Sequence, residues 1–201
     1  MIETNIARDR AEGDLLDVLA ADHEDVTRHF SAFLGTPIGD PERKELMDTI
    51  SALLVSHAAI EEALLYPHIR ERAEDGAHSA VEGLDVHAHA EVLLRQIAPL
   101  DAHAPGFDRL VAVLDEHVSG HMHWEEARLF PMMRAALSQG ELDRLGDEAR
   151  AMRSGAPTAP QAHPGMEGLW TDDYRPPGVS AADRLRRGLT PAGGWDRMKP
   201  H

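Results

Sequence analysis

Leu16, Leu19, His23, Val26, Phe30 and Phe33 recur at alternating steps of three and four. That spacing lines one face of an α-helix and predicts a first helix from roughly Asp14 to Leu34. Gly35, Pro37 and Gly39 then break the chain. A second helix is expected from Pro41, with Asp40 as its cap. Its inward stripe is Leu46, Ile50, Leu53, His57, Ile60/Glu61 and Leu64, and Pro67 should kink or end it, with a last turn reaching no further than Glu74. Val86, Ala90, Leu93, Ile97 and Leu100 mark the inner face of a third helix over about Ala77 to Leu100, with His89 beside that stripe, closed by Pro99 and the Pro105-Gly106 pair. Phe107, Leu110, Leu114, Val118, His121, Glu125 and Leu129 mark a fourth, from about Phe107 to Leu137. A short helix over Gln139 to Met152 follows.

No stretch alternates with period two, so no strand is expected. Four long amphipathic helices with short connections predict an all-α, antiparallel up-down-up-down four-helix bundle over residues 1–152. Beyond Met152 the chain turns rich in Pro and Gly. Residues 153–201 read as a flexible tail with one short helical stretch, Ser180 to Arg187. Its Trp170, Tyr174 and Trp195 would pack on the bundle or contact a protein partner.

Several stripes carry polar residues at mid-helix, where burial is costly without a partner or a ligand. His23 interrupts the first stripe, His57 and Glu61 the second, His121 and Glu125 the fourth. The third helix offers His87 and His89, with Glu91 near. A lone inward His is more often a hydrogen-bonded core residue than a ligand, and His23 alone would decide nothing. The repeat does. His57-Ala-Ala-Ile-Glu61-Glu62-Ala-Leu-Leu-Tyr66-Pro67 returns 64 positions later as His121-Met-His-Trp-Glu125-Glu126-Ala-Arg-Leu-Phe130-Pro131. Each copy sets a His and a Glu one turn apart on one face. His117, one turn before His121, is placed to support it from behind.

Composition narrows the chemistry. The 201 residues contain no Cys, which excludes disulfides, thiolate nucleophiles and iron–sulfur clusters. Imidazole and carboxylate without thiolate suit iron, manganese or zinc, and six such ligands are too many for one catalytic zinc. Iron comes first, because His-rich sites with open positions bind dioxygen or peroxide. A net charge of −15 argues against a nucleic-acid or anionic-membrane partner. No apolar run reaches transmembrane length. The N-terminus lacks a signal peptide's apolar core, and a cytoplasmic protein is expected.

Over residues 14–150 these landmarks resemble the hemerythrin family, in its HHE cation-binding branch. The order is Asp22-His23, the block His57 to Pro67, a His in the third helix, and the block His121 to Pro131. The resemblance implies a bundle around two iron ions, joined by an oxo or hydroxo bridge. Carried over, His23, His57, His89 and His121 would be ligands, and Glu61 and Glu125 bridging carboxylates. The frame Ala88-His89-Ala90-Glu91-Val92 favours His89 over His87. Oxygen-carrying hemerythrins resemble His-x-x-x-His in the third helix, and have an Asp five residues after the His of the fourth. This chain has His87 and His89 two apart, and Glu126 at the fifth position. The departure puts reversible oxygen carriage in doubt. It favours sensing of, or action on, oxygen, nitric oxide, peroxide or iron, with catalase-like peroxide disproportionation as the enzymatic alternative.

Overall fold

The computed structural model describes residues 13–155. Seven α-helices occur there: α1 (Leu15–Gly35), α2 (Glu42–Ile60), α3 (Tyr66–Arg72), α4 (Gly76–Ile97), α5 (Phe107–Trp124), α6 (Phe130–Ala136) and α7 (Gln139–Gly155). No strand occurs among the described residues. Short π-helical turns, Glu61–Leu65 and Glu125–Leu129, join α2 to α3 and α5 to α6. The two expected long helices are therefore each one rod with a widened turn inside it. The last helix runs past Met152 to Gly155. The rest of the expected tail, with Ser180 to Arg187 and its aromatics, lies outside the described residues.

Asp14 starts α1 with a capping box. Its carboxylate accepts the N–H groups of Leu16 and Asp17, while the Asp17 side chain accepts the Asp14 N–H. Asp40 accepts the Glu42 N–H at the start of α2, as its position predicts. α1 packs against α2 and α7, and α4 against α3 and α5. At one end the Arg43 guanidinium donates to the Phe33 and Thr36 carbonyls and pairs with Asp108, which fastens α1, α2 and α5 together.

The core falls into two apolar clusters. One holds Leu15, Leu16, Leu19, Ile60, Leu64, Leu65, Ile69, Leu129 and the inner face of α7. The other holds Val26, Phe30, Phe33, Met47, Ile50, Leu54, Leu94, Val111, Leu114 and Val118. His23 falls between Leu19 and Val26, His57 between Leu54 and Ile60, and His121 between Val118 and Leu129. A polar layer thus lies between two apolar ones.

One expectation changes. The rod Glu42–Arg72 has a stretch long and apolar enough, by length and composition, to cross a membrane. Its Met47, Ile50, Leu54, Ile60, Leu64 and Leu65 are buried in the helical core, so helix packing accounts for that apolarity.

Candidate metal centre

The two Glu residues sit at the mouths of the π turns, and the reason is local. A proline in a helix lacks the N–H for its i−4 carbonyl and its ring clashes with that carbonyl. Pro67 and Pro131 stand in the first turns of α3 and α6. Just ahead of each, the Tyr66 N–H bonds to the Glu61 carbonyl and the Phe130 N–H to the Glu125 carbonyl, five residues back. The widened turn absorbs the proline and keeps both the Glu and the residues beyond it directed inward. Single π turns of this sort gather at functional sites.

Six side chains converge. His23 and His57 bring their Nε2 atoms to 3.2 Å, and His87 and His121 bring theirs to 3.1 Å. Glu61 Oε2 lies 3.2 Å from His57 Nε2 and 3.1 Å from His87 Nε2, so one oxygen serves both pairs. Glu125 spans them with different oxygens, Oε2 at 3.4 Å from His23 and Oε1 at 3.3 Å from His121. Both carboxylates are fully buried. The donors fall into two groups, His23–His57–Glu61–Glu125 and Glu61–His87–His121. Two nitrogens about 2.1 Å from one ion, at roughly right angles, stand ~3 Å apart, which is the spacing seen in each pair.

The outer ring nitrogens explain why the inner ones are available. His23 Nδ1 meets Glu126 Oε1 at 2.7 Å, His87 Nδ1 meets Glu62 Oε1 at 3.0 Å, and His57 Nδ1 meets Asp22 Oδ2 at 3.4 Å. A ring donating its Nδ1–H to a carboxylate turns an Nε2 lone pair inward. Lone pairs facing each other at 3.1–3.2 Å need a shared proton or a cation between them. Glu61 Oε1 and Glu125 Oε2, inside the cluster, are buried without hydrogen-bond partners, as is the outer Nδ1 of His121. An unsatisfied buried polar atom costs ~1–3 kcal/mol, so the donor set fits a metal better than a closed hydrogen-bond network.

The electrostatics of the protein alone point the same way. Burial disfavours protonated imidazole at His87, but Glu61 and Glu62 outweigh it and lift the group to about 9. Burial likewise opposes charge on His57, and Glu61 and Asp22 reverse that, raising it well above the ordinary value. Burial and then the charge of Glu61 push Glu125 up to about 7. Glu61 resists burial through His57 and His87 and stays well below the carboxylate range. Burial and the neighbouring His87 hold His121 well below the imidazole range. Protons here occupy places suited to a cation.

The family model for the hemerythrin HHE cation-binding domain matches residues 14–120. The chain belongs to the hemerythrin HHE family. The matched span ends one residue before His121, so the second His-Glu block rests on its repeat and its geometry. A crystal structure of an HHE cation-binding domain-containing protein from Mycobacterium kansasii superposes with a TM-score of 0.62 at 20% identity, covering 70% of this chain and 86% of that one. That likeness shows the fold. A "DNA nickase" from Nostoc is 30% identical over 147 residues, 73% of this chain. The chain spans only 41% of that protein's length.

Within this HHE chain, His23, His57, Glu61, His121 and Glu125 come together as the stripes imply. The third helix requires a correction. His89, favoured over His87, is exposed, with its Nδ1 bonded to the Asp85 carbonyl one turn back at 2.7 Å. His87 joins the cluster instead. The stripe Val86, Leu93 and Ile97 misled, because Val86 and Leu93 are only half-buried and Val92, next to Leu93 in the chain, is exposed. Glu91 pairs with Arg95. His117 bonds through Nε2 to the Val86 carbonyl at 3.2 Å and stays outside both groups.

The tyrosine of the first block also reaches the cluster, which its place in the helical stripes does not show. The Tyr66 hydroxyl donates to Glu125 Oε1 at 3.0 Å and lies 3.2 Å from His87 Nε2 and 3.4 Å from His121 Nε2. Burial and the charges of Glu61 and Glu125 keep this hydroxyl protonated. Room for it comes from Gly83, where a Cβ would stand 2.6 Å from the tyrosine ring. Phe130, its counterpart in the second block, stacks on His23 at 5.8 Å.

Proposed function

We propose that the cluster holds two iron ions and that the protein senses or acts on oxygen, peroxide or nitric oxide. His23 and His57 would bind one ion and His87 and His121 the other, with Glu61 and Glu125 shared. The observation that carries this reading is the sharing: one Glu61 oxygen stands 3.1–3.2 Å from a nitrogen of each pair. Nitrogen and oxygen donors without sulfur favour iron over softer ions. Bound there, the two ions supply two-electron exchange with small oxygen species.

The chain's own groups do the remaining work. Glu126, Asp22 and Glu62 orient His23, His57 and His87. Tyr66 holds a proton against Glu125 on the side of His87 and His121. The two apolar clusters above and below keep bulk water out of the layer. We read the rods as an up-down-up-down bundle, a reading supported by the packing of α1 on α2, α3 on α4 and α4 on α5. The nicking of DNA belongs to the longer Nostoc protein, and a net charge of −15 gives no support for carrying it over.

The enzymatic form of this reading is disproportionation of two peroxides to dioxygen and two waters. The test is dioxygen release from peroxide added to the iron-loaded full chain. Sustained release that Glu125→Gln lowers at least tenfold supports an enzyme. An iron-loaded protein that releases no dioxygen supports the sensing form.

A further inference from the structure

The internal repeat makes the two halves of the cluster comparable, and one connection breaks the match. His57 leans on Asp22 through Nδ1, whereas its counterpart His121 has a buried Nδ1 without a partner. The position 64 residues after Asp22 is Val86, which offers no carboxylate. Asp22 in turn is held. The Arg153 guanidinium pairs with Asp22 Oδ2, the same oxygen that meets His57. The same Arg153 nitrogen donates to the Val18 carbonyl at 3.0 Å, one turn earlier on α1. Arg153 lies in the last turn of α7, which packs along α1. Gly146 brings α7 close enough that a Cβ there would meet the Asp14 backbone at 2.8 Å.

We infer that Arg153 is a positioning residue for His57, acting through Asp22, so that docking of α7 and metal binding in the His23–His57 half strengthen each other. This rests on the metal reading above. The physical chain is short. A carboxylate accepting the outer N–H of a ligand imidazole fixes the ring and raises its basicity, and losing it costs metal affinity ~10–100-fold. Asp22 is largely shielded from water, its side chain 13% exposed. Without Arg153 its charge would gain by rotating outward, away from His57. Coupling between two binding events is reciprocal, so an ion on His57 must also hold α7 more firmly.

The test uses the full chain, stripped of metal and titrated with cobalt(II), whose visible absorption reports each ion bound. Wild type is expected to take two ions. Arg153→Ala should weaken one of them about tenfold or more and leave the other within about twofold. Asp22→Asn, which leaves α7 uncut and changes no volume, should reproduce the weakening. Amide exchange in α7 should slow when cobalt is added to wild type, and should not respond in Arg153→Ala. Unchanged binding of both ions by Arg153→Ala and Asp22→Asn, or α7 exchange indifferent to metal in wild type, overturns this inference while the metal reading stands. A wild-type chain that binds no cobalt overturns both.

Discussion

At the scale of single residues, the cluster is a competition between protons and a cation for the same lone pairs. The direction follows from the groups raised above their ordinary values. His87 is raised from 6.5 to about 9, so in metal-free protein its contribution to stability is complete below 6.5 and is lost as pH rises through 9. His57 is raised too and acts in the same sense. Glu125, raised from 4.5 to about 7, loses its contribution earlier, as pH rises through 7. Glu61 and His121 are lowered; their contributions are lost only as pH falls, through values below 4.5 and below 6.5 respectively, so they are flat in the alkaline range. The metal-free protein is therefore expected to melt at a lower temperature at pH 9 than at pH 6.5. Metal must displace the His87 and His57 protons, so the rise in melting temperature on adding iron(II) without air should grow over the same range. Melting curves with and without metal check both. A metal-induced gain that is constant from pH 6.5 to 9 would show that these imidazoles are not protonated in the metal-free protein.

At the scale of elements, most of the site was legible, and the part that was not is informative. The 3.6-residue stripes place His23, His57, Glu61, His121 and Glu125 inward, because each lies among residues buried on a long rod. α4 resists the same reading. It packs on two neighbours but leaves Val81, Leu84 and Val92 exposed, so apolarity does not mark its inner face. Hydrophobic phase therefore pointed two residues astray, to His89. Another signal was present in the chain: His23 advanced by the repeat's own 64 positions is His87, as His57 advanced is His121. The π turns were half-legible: Pro67 announces a disturbance in its helix but not its form, and the fourth helix, expected to run on through Pro131, carries the same widened turn. The contact of Asp22 with Arg153 was not legible, because only tertiary packing brings these two polar residues together. The helix phase has its own test. His87→Ala should remove about half of the bound metal, whereas His89→Ala should leave the metal content unchanged, by elemental analysis of the purified proteins. Loss of metal in His89→Ala with retention in His87→Ala would reverse the assignment.

At the scale of the molecule, two apolar clusters enclose a layer of four imidazoles and two carboxylates. Such a layer inside a core costs several kcal/mol if left unsatisfied. The two halves of the internal repeat meet across it, each lending two His and a Glu to one cluster. The last helix closes the arrangement by packing on α1 and reaching Asp22. The proposed function turns on a centre that takes two ions. The most direct test is the number of iron ions bound per chain by full-length protein reconstituted with iron(II) without air and freed of loose metal. The di-iron centre predicts two, falling to about one in His87→Ala. A value of one in the wild type, or zinc bound in place of iron, would contradict it.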